Sequence, residues 1–266
     1  MKYILGLFLA LSLWAAEPNR ALIFSKTAGF RHGDSIPLGN KMLEAQFKSL
    51  GLEVDFSEDA AVFTPENLAR YRAIAFMSTT GDIMSNPVAK GVTQTPEEKA
   101  AAVKVAEARR LAFQNWLEGG GAFLGIHAAS DAGGDIQSRW PWYAKMIGGL
   151  FAGHPAQQIA VLHPVDKESL ATAHLAADWK RKDEWYNFKN LQEENHVLLV
   201  IDETTYKGGN TKPGETHPMA WQKDVGKGRM FYTALGHVKE SFTEAEFTKH
   251  VLGGMLWTLR KTEFPK

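Results

Sequence analysis

The chain has 266 residues, with 30 basic and 30 acidic side chains, nine histidines and no cysteine. Without a thiol there is no cysteine nucleophile, disulfide staple or cysteine-ligated metal, and zero formal charge supplies no basic field for nucleic acid. A composition that is 44% hydrophobic and 11% aromatic can fill a large core and is not that of a disordered chain.

Residues 1–16 differ from the rest. Lys2 is the only charge before Glu17, Tyr3 to Trp14 is almost unbroken apolar sequence, and Ala15-Ala16 offers a small-residue cut. This is the pattern of a secretory signal peptide, with an uncleaved anchor or a buried first element as blander alternatives. The run is shorter than the ~20 residues a membrane-spanning helix needs. Its removal takes away one lysine and leaves a near-neutral chain with no stable membrane span. The expectation is a periplasmic or secreted protein, with 17–266 as one domain.

Beyond the leader, short apolar runs alternate with helical stretches. Ala21 to Ser25 predicts a strand that ends in a turn at Lys26-Thr27-Ala28-Gly29. Residues 36–50 carry Leu38, Met42, Leu43, Phe47 and Leu50 near helical spacing, and Gly51 stops them. Leu52 to Phe56 alternates as a second strand. Thr64-Pro65-Glu66 and Thr95-Pro96-Glu97 are helix starts, each with a capping threonine and proline at the first position. Ala73 to Met77 is a third strand, residues 83–96 read as a loose surface insertion, and Ala122 to Ile126 is a fully buried strand ending at His127. Runs near 159–163, 196–202, 218–223 and 229–235 add strands, some antiparallel at the sheet edge. This spacing predicts an α/β fold: a single doubly wound, mostly parallel sheet with helices on both faces.

In such a sheet, ligands bind on the loops beyond the strand ends. Arg31 and His32 follow the first strand, Asp82 follows the third, His127 the fourth and His237 the last. The strand into His127, followed by small residues, has the layout of a nucleophile elbow, with an imidazole suited to proton transfer or metal ligation in place of Ser or Cys. Ser130 comes three residues too late for the elbow and reads as a polar residue of the next turn. Trp142 and Tyr143 read either as sugar-stacking rings or as core, and Trp221 as a further stacking surface. Gly153 and Pro155 flank His154 in a turn. If 183–186 is extended, Glu184 and Tyr186 face the pocket together as base and hydroxyl donor, while Asp183 and Trp185 face away; the bland alternative for Glu184 is a solvated acid beside Lys182. His32, His127, His154 and His237 with Glu184 supply enough ligands for a divalent metal such as zinc, although they lack the tight spacing of a zinc-binding helix. His163, His174, His196, His217 and His250 receive no role.

Four ordered segments carry a resemblance: GGGAFLGIHAAS (119–130), WPWYAKMIGGLFAGHP (140–155), DEWYNF (183–188) and PMAWQKDVGKGRMFYTALGH (218–237). They resemble the ThuA-like family, associated with trehalose utilisation and similar in fold to the class I glutamine amidotransferases. The resemblance implies a flavodoxin-like sheet and a site lined by these motifs. It also implies Glu184 as the inward carboxylate and His237 in the place of the amidotransferases' late-strand histidine. His127 stands where that fold puts cysteine, so glutaminase activity is not carried over. The expectation is an exported enzyme acting on a disaccharide or keto-sugar by His/Glu acid–base chemistry, with His127, Glu184, His237 and His154 as its reacting groups. The alternative is a non-catalytic sugar-binding protein or partner subunit on the same fold. Convergence of those four residues in one cleft favours the enzyme, and their dispersal favours the binding module.

Overall fold

The computed structural model describes residues 18–132, 139–212 and 214–265, so the proposed leader at 1–16 lies outside the described residues. Strands β1 (Arg20–Phe24), β2 (Glu53–Ser57), β3 (Tyr71–Met77), β4 (Ala122–Ile126) and β11 (Gly228–Thr233) pair in parallel in the order β2-β1-β3-β4-β11. That is the flavodoxin-type winding, and its chain reversal places a crevice beyond the ends of β1 and β3. β1 after Arg20 and all of β4 are apolar and buried, as strands covered on both faces must be.

Strands β10 (Pro218–Val225), β9 (His196–Ile201), β6 (Gln158–Pro164) and β7 (Trp179–Asp183) continue the sheet antiparallel, making nine strands. β7 escaped the sequence reading because Trp179-Lys180-Arg181-Lys182-Asp183 looks like a solvated charge run. In fact Trp179, Arg181 and Asp183 point inward and only the lysines face water. A two-stranded sheet of β5 (Leu150–Phe151) and β8 (Phe188–Lys189) was also not anticipated.

Among the described residues five α-helices flank the strands. Helix α1 (Ser35–Ser49) packs on β1, β2 and β3, and α5 (Ala245–Thr258) packs on β4 and β11. Gln46 bridges the two by donating its amide to the Thr248 carbonyl at 2.7 Å. On the other face lie α2 (Pro65–Leu68), α3 (Pro96–Glu118) and α4 (Pro141–Ile147). Thr95 and Glu98 form a reciprocal capping box at the start of α3. From this helix Phe113 packs against Phe76 of β3 and Phe123 of β4. Among the described residues no helix is long and apolar enough to cross a membrane.

Candidate functional site

Three parallel strands end beside one another, and each hands a histidine to the same point. The loop after β1 carries His32, β4 runs straight into His127, and the turn after β11 delivers His237. The three imidazoles form a nearly equilateral triangle, with ring centroids 4.9, 5.2 and 5.3 Å apart. Glu184, one residue past β7, enters this triangle. Its Oε2 lies 3.5 Å from His127 Nε2, and its Oε1 lies 3.5 Å from His237 Nε2 and 3.3 Å from His154 Nδ1. One ligand atom from each of His32, His127, Glu184 and His237 falls within 4.8 Å of the others. Of the three histidines beside Glu184, His154 has the most exposed side chain.

His127 takes the elbow conformation foreseen for it. Its φ is +50°, a left-handed backbone that costs a non-glycine residue on the order of 1 kcal/mol or more, and a 3₁₀ turn follows over His127–Ser130. Tyrosines hold the turn from beneath: the Tyr232 hydroxyl donates to the His127 carbonyl at 2.8 Å and also meets Ser130 Oγ, while the Tyr143 hydroxyl donates to the Ala129 carbonyl. Ser130 is therefore committed to the turn.

The ring of His127 has a defined orientation. Nδ1–H donates to the Ala234 carbonyl at 2.7 Å, and Nε2 faces Glu184. That Nε2, like His32 Nδ1, is fully shielded and meets no hydrogen-bond partner among the described residues. Burial, and then the neighbouring rings of His127 and His237, push His32 down to about 3 and also lower His237. Burial alone would raise Glu184. His127, His237 and His154 around it outweigh that and hold it below the usual carboxylate range. The site therefore holds an ionised carboxylate beside His32 and His237, whose burial favours the neutral ring.

A cavity of about 500 Å³ opens beside the cluster and shares His32 and His237 with it; Phe30, Gln157, Lys182 and Lys239 are among its other lining residues. Gln157 donates its amide to His237 Nδ1 at 3.1 Å.

The remaining expected residues fall elsewhere. Tyr186 is present through its ring, 4.2 Å from that of His127. Arg31 turns outward to a bidentate pair with Glu58 at 2.7 and 2.9 Å. Asp82 is engaged by Arg110 at 3.1 Å and by Ser85 at 2.7 Å. Tyr143 and Trp221 are core residues with no exposed surface; Trp221 stacks on Tyr232 and donates its indole N–H to the Ile147 carbonyl. Trp142 donates to Glu118, the last residue of α3, and so lies at the entry end of β4, opposite His127. Aromatic composition alone could not separate a sugar-facing ring from a core ring. Gly153 serves through its backbone, with φ at +117° and open space where a side chain would stand.

Two contributors escaped the sequence reading. Asp183, expected to face away, is completely buried and organises the turn that presents His237. Its carboxylate accepts from the backbone N–H groups of Gly236 (2.9 Å), His237 (3.0 Å) and Val238 (3.3 Å), and from Arg181 at 3.0 Å. The available signal was Arg181 and Asp183 two apart on one strand face, a spacing that allows charges to pair inside a sheet. Phe30 is 70% exposed at the cavity and stands edge-on to His32 at 4.9 Å. It sits in a polar loop, where neither periodicity nor burial explains an apolar ring.

The family model ThuA, described as trehalose utilisation, matches residues 20–258. Among solved structures, a ThuA-like protein from Bacteroides uniformis aligns with a TM-score of 0.68 at 21% identity, over 92% of this chain and 93% of that one. A second, from Parabacteroides merdae, aligns with a TM-score of 0.64 at 17% identity, over 91% and 90%. A cytoplasmic protein from Salmonella typhimurium LT2 aligns at 0.60 with 13% identity, over 90% and 99%. No curated protein matches the sequence. At these identities the structural likenesses speak to the fold.

Proposed function

This chain belongs to the ThuA family of trehalose utilisation, which ties it to carbohydrate metabolism, and from that premise we propose that it is an exported enzyme acting on a disaccharide or a keto-sugar derived from one. The observation that carries this reading is the convergence of His32, His127, His237, His154 and Glu184 at the exit ends of the parallel strands. A non-catalytic sugar-binding module has no need of a strained His127 or of a carboxylate ringed by imidazoles.

The chemistry follows from the protonation states. Ionised Glu184 is a base, and a carbon next to a carbonyl is the acidic position a keto-sugar offers it. His154, 3.3 Å from Glu184 Oε1 and the more exposed partner, can pass a proton onward. Abstraction at that carbon followed by protonation of a leaving hydroxyl or glycosidic oxygen gives elimination; protonation at the neighbouring carbon gives isomerisation. A standard glycosidase places two carboxylates across the scissile bond. Among the described residues a single carboxylate, Glu184, joins the imidazole cluster, which supports the keto-sugar over the unmodified glycoside. Phe30 is the aromatic face on which an apolar sugar face would rest.

The leader pattern at 1–16 supports export to the periplasm or the medium; retention of the mature chain in the cytoplasm on fractionation would count against it. The enzyme reading is tested by incubating the chain with a keto-disaccharide and its parent sugar and following both by mass spectrometry. Turnover of the keto-sugar, lost in Glu184→Gln, is the expected result, and no change in either sugar sinks the reading.

A further inference from the structure

We propose that His32, His127, His237 and Glu184 form the binding site of a first-row divalent transition-metal ion. This deepens the enzyme reading and rests on it only for what the ion does to substrate; the binding itself follows from the four side chains.

Three independent features point to an ion. The first is the donor set: three imidazoles and one carboxylate, without a thiolate, suit zinc, cobalt, nickel, iron or manganese. Their ligating atoms already lie within 4.8 Å of one another. Tetrahedral ligands 2.0–2.1 Å from zinc stand ~3.3 Å apart, so ring tips moving inward by about an ångström would close the shell. The second is unsatisfied valence. His127 Nε2 and His32 Nδ1 are sealed from solvent without a partner among the described residues, and an orphaned buried polar atom costs on the order of 1–3 kcal/mol unless something meets it. The third is the outer shell. A metal-bound histidine usually donates its other ring N–H to a carbonyl or carboxylate, which fixes its tautomer. His127 already does so to Ala234 at 2.7 Å. Gln157 stands at His237 Nδ1, and half a turn of its carboxamide presents oxygen to an Nδ1–H, freeing Nε2 as a ligand.

With these four residues as ligands, His154 stays outside the shell beside Glu184, and the adjoining cavity gives a substrate oxygen a route to a fifth position on the ion.

The test uses the full chain without sugar, stripped with a chelator, dialysed, and loaded separately with Zn²⁺ and Co²⁺. The expected result is about one ion per chain by elemental analysis, a rise of several degrees in Tm, and visible ligand-field bands for the cobalt form. His32→Asn and His237→Asn should each lower retained metal about tenfold or more with the circular dichroism spectrum unchanged, while His196→Ala, at an exposed histidine paired with Asp166, retains it. Less than about a tenth of an ion per wild-type chain, or full occupancy in both asparagine variants, would overturn the site. The two readings separate cleanly. A chelator-stripped chain that turns over keto-sugar but takes up less than about a tenth of an ion overturns the metal site and leaves the acid–base enzyme standing; a stoichiometrically loaded chain inert toward keto-sugars supports the metal site and sinks the substrate assignment.

Discussion

His127 and His250 have no solvent-exposed surface, yet they sit in regions of opposite character. His250, in α5 against the sheet, donates Nδ1–H to the Ala171 carbonyl at 2.8 Å and accepts at Nε2 from Thr233 at 3.2 Å. Both of its nitrogens are satisfied, and the region is an ordinary helix-on-sheet core. His127, at the end of β4, has one nitrogen satisfied and the other aimed at a carboxylate from a distant strand, on a strained backbone. Burial therefore does not mark a site here. What separates His127 is an unpaired buried nitrogen that faces other ligating groups, since unpaired buried atoms such as Asn40 Oδ1 and Gln46 Oε1 lie outside the cluster.

The largest effect that would break this contrast is catalytic. Glu184→Gln keeps the shape of the side chain and removes its charge, and it should lower kcat by ~10²–10⁴ while leaving the urea midpoint nearly in place. Equal loss of stability and activity would return Glu184 to the same class as the core residues.

Next comes Asp183, which belongs to both regions by holding the His237 turn and pairing with Arg181. Asp183→Asn removes one of the two carboxylates on buried Arg181, leaving Glu244 at 3.3 Å, and weakens the turn, so it should cost about 1–3 kcal/mol, measured by denaturant unfolding. It should also depress turnover through a misplaced His237.

The core histidine gives the pH prediction. Burial pushes His250 down to about 3, so between about pH 6.5 and 3 the unfolded chain binds a proton that the fold refuses. Stability must then fall on acidification, by up to ~1.4 kcal/mol per pH unit from this group. Above pH 6.5 the group contributes no slope. His250→Gln should flatten the dependence, and unfolding midpoints that keep their full acid slope in this variant would refute the assignment.

The smallest effect is at Phe30. Phe30→Ala removes an exposed ring that supports no core, so Tm should stay within a degree or two while KM rises by roughly three- to tenfold. A large fall in Tm would make the ring structural.

Much of the architecture was legible in order along the chain. The capping threonines at 64 and 95, the apolar runs into Phe24, Met77 and Ile126, and the histidines at strand ends are local signals, because capping, periodicity and strand burial depend on near neighbours. From them the parallel sheet, the edge additions and the grouping of His127, Glu184, His154 and His237 could be argued. β7 was hidden because its inward charges satisfy each other within the fold. Trp142, Tyr143 and Trp221 were misjudged because an aromatic ring in sequence carries no indication of which face it presents.

The sequence by itself determined the winding of the central sheet, the family and the types of residue at its strand exits, since each rests on local pattern or on motifs in order. Only the tertiary structure decided that His32, a candidate ligand in the sequence, meets the others, that Asp183 holds the turn beneath His237, and that His127 Nε2 and His32 Nδ1 remain unpaired. These facts depend on residues roughly 50 to 200 positions apart meeting within a few ångströms, and no local rule of spacing contains such a distance.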